Sequence, residues 1–289
     1  MKNQYMFRAG VQLRWLNNAG FEIILPGGAH VLVDPWLDEA MIYPFPLEKI
    51  ERADYVLLTH THFDHADSIG RLQRRFPKAA IFVGDLSADA LCMEQELNVE
   101  RLFRVRHGEK YQFDEVKIEA IGARHTESTT GNYWNKGYCI RKDGSRSPAN
   151  WYGSLEMLNY RITASDGSKI VVWGGMVTEE QIYRMKEYRN NDIALMHVSP
   201  KQDFEMFSRL VDAIQPKVVI PHHYDIWDTL FQKNPEMLEG IPIPPDKLNA
   251  DAVLGMVKSG IERDCKSTEF FIPEHHRWYR FGLSVAKVD

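Results

Sequence analysis

The sequence predicts an α/β fold of the α+β kind, two mixed sheets packed face to face and flanked by helices. Three observations carry this expectation. Short apolar runs of strand length recur along the chain. Segments of helical spacing alternate with them after each opening group of strands. The same plan occurs once in each half, which suits a sheet-on-sheet sandwich with helices outside. Of the 289 residues, 44% are hydrophobic, enough to fill such a core.

In chain order, Val11 to Leu16 reads as a strand, Asn17-Asn18-Ala19-Gly20 as a turn and Phe21 to Leu25 as a second strand. Pro26-Gly27-Gly28 connects tightly to Val31-Leu32-Val33, so the opening is an antiparallel meander. Ala53 to Thr59 is an apolar run that delivers a histidine cluster. Ser68 to Phe76 places Ile69, Leu72 and Phe76 at helical spacing, Ala79 to Val83 is strand-like, and Ser87 to Leu97 is helical with Ser87 as its cap. Lys117 to Ile121 is a strand running into Gly122-Ala123-Arg124-His125. From Thr126 to Gly153 the chain is rich in Gly, Asn, Ser, Trp and Tyr without a period, which predicts a long inserted loop. Strands resume at Met157 to Ala164, Lys169 to Trp173, Ile193 to Val198 and Lys217 to Ile220, with helices over Val177 to Tyr188 and Phe204 to Ile214. The tail holds Pro242, Pro244 and Pro245 and a helix near Ala250 to Ser259. The expected organisation is one domain over 1–289, with an insertion at about 126–153 and a C-terminal extension at about 226–289.

The net charge is -5, with both signs mixed and no block of lysine or arginine, so nucleic acid is not an expected partner. No window reaches the ~20 apolar residues of a membrane span, and Met1 to Gly10 lacks the apolar stretch of a secretory signal. Cys92, Cys139 and Cys265 lie far apart and form no CxxC pair, which suits packed thiols in a reducing compartment. The expectation is a soluble, cytoplasmic protein acting on a small molecule, an anionic one included; the composition is compatible with a homo-oligomer.

The chemistry concentrates in Thr59-His60-Thr61-His62-Phe63-Asp64-His65. Potential metal ligands here follow directly on a buried strand, and His125 and His223 also stand just beyond strands. Strand ends let loops converge while the sheet holds their ligands in place. Imidazole and carboxylate together suit zinc, with manganese or iron as alternatives, rather than calcium or magnesium. Histidines around a metal with an open position lower the pKa of a bound water to about 7.

The run His60-Thr61-His62-Phe63-Asp64-His65 resembles the HxHxDH signature of the metallo-β-lactamase-fold hydrolases. Leu32-Val33-Asp34-Pro35-Trp36 before it, Ala123-Arg124-His125 after it and Ile220-Pro221-His222-His223-Tyr224 later follow the same family order. The resemblance covers Gln12 to about Asp225 and is nearest the branch containing ascorbate-6-phosphate lactonase. It implies an αββα sandwich with the site at one edge. It assigns His60, His62 and His125 to one metal ion and Asp64, His65 and His223 to a second, one or two ions per chain. His223 is preferred to His222, which should point the other way along an extended segment. The implied activity is hydrolysis of a lactone, ester, amide or phosphodiester by a metal-bound hydroxide, with Asp64 as both ligand and orienting catalytic group. The implied bridging aspartate is absent: Met176, in Gly175-Met176-Val177, stands in its place. A soft, neutral thioether is a poor substitute, so partial occupancy, a centre completed by another group, or a degenerate site serving as a metal-binding sensor or scaffold is expected. His197, at a strand end, is a possible neighbour of the site.

Other candidates carry two readings. Asp34 either orients a metal-binding imidazole or is a turn residue before Pro35. Asp67 reads as a helix cap. Asn132, Tyr133, Trp134, Tyr138, Trp151 and Tyr152 read as an aromatic lid beside His125. Arg124 and Arg141 are candidates for a substrate anion. His275 and His276 read as solvated, and His30 and His107 as structural.

Overall fold

A computed structural model describes residues 10–125, 152–154, 156–200, 202–227, 229 and 249–282. Cys139, Arg141, Asn132 and the aromatic residues Tyr133, Trp134, Tyr138 and Trp151 of the expected lid lie outside that range, as does most of the insertion itself.

The first half runs β1 (Val11–Asn17), β2 (Gly20–Ile24), β3 (His30–Val33), β4 (Tyr55–Leu57), α1 (Phe63–Ala66), α2 (Ile69–Arg75), β5 (Ala80–Gly84), α3 (Asp85–Gln95) and β6 (Leu102–Val105). The second runs β7 (Lys110–Gln112), β8 (Val116–Gly122), β9 (Leu158–Ala164), β10 (Lys169–Trp173), α4 (Glu179–Met185), β11 (Asn191–His197), α5 (Phe204–Ile214), β12 (Pro216–His222), α6 (Ala250–Asp264), β13 (Glu269–Phe270) and β14 (Trp278–Phe281). These strands form two seven-stranded sheets, ordered β14-β1-β2-β3-β4-β5-β6 and β13-β12-β11-β10-β9-β8-β7. Each sheet is antiparallel among its first strands in sequence and parallel among its later ones, except that β14 returns antiparallel to β1. The tail joins both sheets, β14 against β1 and β13 against β12.

Period-two alternation sorts the strand residues into layers. On β4, Leu57 faces the other sheet, while Val56 and, just beyond the strand, Leu58 face the helices. Leu13, Phe21, Phe82, Tyr160, Ile162 and Leu195 fill the space between the sheets. Ile69, Leu72 and Leu91 from α2 and α3 cover one outer face, and Phe207, Leu210 and Ile261 from α5 and α6 cover the other. Apolar burial on both faces of each sheet is the principal attraction, at about 25 cal/mol per Å². The two mixed sheets between helices are the expected sandwich.

One helix start differs from expectation, and Asp67 caps the end of a helix. α3 begins at Asp85 directly after Gly84, so Ser87 lies inside it, buried, with Oγ donating to the Ser154 carbonyl at 2.7 Å. The first-turn N–H of Leu86 is answered instead by Glu156 Oε2 at 2.8 Å. Ser68 precedes α2, whereas Asp67 closes α1 and accepts the Tyr152 hydroxyl at 2.6 Å. Tyr152 is itself 4% exposed and packs in the core beneath α3 rather than acting as a lid residue.

Candidate metal centre

The ends of β4, β8, β11 and β12 and the β1–β2 turn converge at one edge of the sandwich. β4 stops at Leu57, and the chain then bends at Thr59 and reaches an extended His62 before turning into α1, whose one turn carries Asp64 and His65. Tyr160 Oη donates to the Leu58 carbonyl at 2.9 Å, tying this strand end to the opposite sheet. Glycines allow the β10 end to approach: a Cβ on Gly174 would lie 3.0 Å from Thr59 Cβ, and one on Gly175 would lie 2.7 Å from the Arg124 carbonyl oxygen. Met176 follows, its N–H donating to that same Arg124 carbonyl at 2.8 Å.

Two groups of potential ligands result. His60, His62 and His125 each offer a nitrogen within 4.8 Å of the others, and Asp64, His65 and His223 each offer an atom at the same spacing. In the first, His60 Nε2 lies 2.9 Å from His62 Nδ1. In the second, Asp64 Oδ2 lies 3.6 Å from His65 Nε2 and 3.4 Å from His223 Nε2, and the two imidazole nitrogens are 3.4 Å apart. His65 and His223 rings are 5.4 Å apart.

The groups behind the ligands fix their direction. Asp34 Oδ1 accepts the Thr59 N–H at 2.7 Å, and Oδ2 accepts the Thr59 hydroxyl at 2.6 Å and lies 2.9 Å from His65 Nδ1. That arrangement turns His65 Nε2 toward Asp64 and His223, so the orienting role of Asp34 has a structural basis. Asn18 Nδ2 donates to Asp64 Oδ2 at 2.8 Å, and the Asn18 carbonyl accepts the His223 N–H at 3.0 Å. Asn18, Asp34 and His223 all have positive φ, at 43°, 40° and 70°. Side chains other than glycine seldom occupy this region, and it costs of order 1–3 kcal/mol where packing does not relieve it. Three such residues meeting at one place point to a site that the surrounding fold holds in shape.

Burial, and then the imidazoles around them, hold His60 and His62 well below their ordinary 6.5. Both are therefore neutral, with lone pairs available. Burial pushes the Asp64 carboxyl up, but His65 and His223 outweigh it and hold Asp64 well below the carboxylate range. Burial also pulls His65 down; Asp34 and Asp64 outweigh it and raise its affinity for a proton. Neutral imidazoles, an ionised carboxylate and a convergent geometry fit a divalent cation. The buried Nδ1 of His223 has no hydrogen-bond partner among the described residues, as suits a ring oriented by ligation through Nε2.

All the histidines and the aspartate singled out as ligands are thus brought together. His222 is 1% exposed and lies edge-on to Phe21, with ring centroids 5.4 Å apart. His197 ends β11 with its ring 4.4 Å from that of His223. His275 is not solvated: it stacks between Trp15 and Tyr43, at 3.8 and 3.9 Å, and its Nε2 lies 3.0 Å from Asp225 Oδ2. Asp225 in turn accepts the Asn18 N–H at 2.8 Å, so the tail braces the turn that holds Asp64. His276 Nε2 lies 3.2 Å from the Tyr43 carbonyl oxygen. Asn18, Asp225 and His275 were the supporting residues that sequence reading missed. The only signal was an Asn in a turn, which has an ordinary explanation of its own.

A cleft of about 420 Å³ opens beside His125, lined by Arg124, His107, Glu156 and Met157 among others. Arg124 and His107 thus line the cleft beside the first ligand group. Among the described residues no helix is long and apolar enough to cross a membrane.

Comparison with known proteins agrees with this arrangement. A family model described as the beta-lactamase superfamily domain matches residues 12–223. A UPF0173 metal-dependent hydrolase of Koribacter versatilis is 21% identical over 230 residues, covering 79% of this chain and 90% of its own. One from Sulfolobus acidocaldarius is 26% identical over 231 residues, covering 78% and 88%. Among solved structures, Igni18, a metallo hydrolase from Ignicoccus hospitalis, superposes with a TM-score of 0.61 at 17% identity, covering 95% of this chain and 99% of its own. At that identity the likeness is one of fold.

Proposed function

The chain belongs to the beta-lactamase superfamily, and from that premise we propose that it is a metal-dependent hydrolase that cleaves a small anionic lactone, ester, amide or phosphodiester at the paired ligand groups. The observation that carries the reading is the meeting of those two groups at one edge of the sandwich beside a cleft. A divalent ion there supplies Lewis acidity, polarising a carbonyl or phosphoryl oxygen and bringing a water's pKa toward neutrality.

The protein's own residues do the rest. His60 and His62 stay neutral and, with His125, offer nitrogens that converge on one point. Asp64, ionised and held by Asn18, can accept a hydrogen bond from an attacking water and orient it while also serving as a ligand. Arg124 at the cleft offers a cation for a carboxylate or phosphate of the substrate. Zinc suits this donor set first, and manganese or iron also accept it. Among substrates, a sugar-phosphate lactone combines a cleavable acyl carbon with an anionic handle, and we place it first on family resemblance.

Metal-reconstituted protein assayed against lactones, nitrophenyl esters and a bis-nitrophenyl phosphate tests the proposal, with His62→Ala as control. Turnover by the wild type and its loss in the variant is the expected result. Fully loaded wild-type protein that turns over none of these classes would sink the hydrolytic reading. It would favour a metal-binding sensor or scaffold, for which Met176 in the turn beside Arg124 is the motivation. Restoring a carboxylate with Met176→Asp discriminates further: a large gain in turnover marks a degenerate site, whereas a loss places Met176 within a working one.

A further inference from the structure

We propose that His275 is a positioning residue for the Asp64, His65 and His223 group, acting through Asp225 and Asn18, so that the C-terminal segment sets the affinity of one ion position and not of the other. The proposal rests on the hydrolase reading only in supposing that divalent ions occupy this edge of the fold.

The relay is continuous. His275 Nε2 lies 3.0 Å from Asp225 Oδ2, and the same oxygen accepts the Asn18 N–H at 2.8 Å. A carboxylate oxygen only accepts, so the imidazole nitrogen is the donor. Asn18 Nδ2 donates in turn to Asp64 Oδ2 at 2.8 Å and to the Asp64 carbonyl at 3.3 Å. The Asn18 carbonyl receives the Trp15 indole N–H and the His223 N–H, each at 3.0 Å. His275 stacks on that same Trp15, with ring centroids 3.8 Å apart. It therefore touches two of the groups that fix Asn18. Asn18 in turn touches Asp64 and His223, which belong to one ligand group.

Both intermediates need holding. Asn18 is fully buried at a φ of 43°, a conformation that persists only where its surroundings impose it. Asp225 is 5% exposed, and its second oxygen has no hydrogen-bond partner among the described residues. Without His275, the Asn18 N–H would be its remaining partner among those residues. A buried carboxylate left so poorly answered moves toward water, and the grip on Asn18 goes with it.

The strand architecture explains how one tail residue reaches this place. β13 pairs with β12, whose end leads into His223, and β14 pairs with β1, whose end leads into Asn18. His275 lies on the connection between β13 and β14, and the next residue pins that connection: the His276 N–H donates to the Trp15 carbonyl at 2.7 Å. The tail thus clamps the two strand ends that carry parts of one ligand group. The family match ends at residue 223, so Asp225 and His275 stand outside it.

Zinc titration against a chromophoric chelator tests this without any substrate, in two parent proteins. His60→Ala retains the Asp64, His65 and His223 group, and Asp64→Ala retains the three histidines. His275→Phe keeps an aromatic ring between Trp15 and Tyr43 but removes the donor, whereas His275→Gln restores a donor of similar reach. In the His60→Ala parent, His275→Phe should weaken zinc binding about 10-fold, and His275→Gln should recover most of that loss. In the Asp64→Ala parent neither change should alter affinity. With Asn18→Ala added to the His60→Ala parent, His275→Phe should have no further effect, because the relay is already cut. Melting curves of the metal-free proteins show whether each variant folds, and His275→Leu is the second donorless variant should the phenylalanine ring not fit. Unchanged affinity in a folded donorless variant, equal losses in both parents, no recovery by glutamine, or a loss that adds to that of Asn18→Ala would each overturn the relay and leave the hydrolase reading intact. So would a wild type that takes up zinc while the His60→Ala parent takes up none. A wild type that binds no zinc would overturn both.

Discussion

Asn18, in the β1–β2 turn, donates from its side chain to Asp64 Oδ2 at 2.8 Å and so joins that turn to the candidate centre. The same residue accepts the His223 N–H on its carbonyl, so one turn residue positions two ligands from distant parts of the chain. Asn18→Ala would leave Asp64 without this donor. We expect metal affinity at the Asp64, His65 and His223 group to fall by about 10–100-fold, read by chelator competition, with the three-histidine group little changed. Equal affinity in variant and wild type would show that Asn18 is only a turn residue.

Asp34 holds Thr59 through two hydrogen bonds and directs His65 as well. In Asp34→Asn one oxygen becomes a donor facing a hydroxyl and an imidazole nitrogen. We expect a loss of about 1–3 kcal/mol in the metal-free protein, together with weaker metal binding. Chemical denaturation and metal titration measure the two separately. A variant as stable as wild type, with undiminished affinity, would reduce Asp34 to the turn residue that its position before Pro35 also permits.

His62 belongs to the three-histidine group and is held neutral by burial first and His125 second. His62→Ala should lower bound metal and abolish turnover against whichever substrate the wild type accepts. Full metal content with unchanged turnover would refute its place as a ligand.

Acid should destabilise the metal-free protein. His60, His62, His197 and His222 are all held well below the ordinary 6.5 by burial, with neighbouring imidazoles adding to it. Below pH 6.5 the unfolded chain thus binds protons that the folded chain does not. Their contribution is present above that value and is lost as the pH falls. His65 opposes them: its pKa is raised, so its contribution is present below 6.5 and fades as the pH rises through the folded value. Four groups outweigh one, and the melting temperature of metal-free protein should drop between about pH 7 and about pH 5. A flat or rising profile over that window would contradict the neutral state assigned to these rings.

Much of this molecule was legible before any coordinates. Helix α5 falls at Phe204–Ile214 as its spacing predicts, and the first three strands form the expected meander. The strands that sequence reading passed over, β6, β7, β13 and β14, are the edge strands of the two sheets. Each is partly exposed, so none carries the continuous apolar run that marks a strand buried on both faces. The helix start misplaced at Ser87 has a distant cause: Glu156, far away in sequence, answers the Leu86 N–H that a local cap was expected to answer, while Asp67 closes α1 and accepts the Tyr152 hydroxyl.

The chain by itself determined the ligand chemistry, because the spacing of His60, His62, Asp64 and His65 follows directly from consecutive residues at the end of one buried strand. It also determined the layering, since apolar periodicity is a local property. Only the tertiary structure decided that Asn18 meets Asp64, that Asp225 and His275 brace that turn, and that His197 lies over His223. Those pairings join positions separated by many residues, and what brings them together is the packing of two sheets, whose contacts leave no trace in the spacing of neighbouring residues.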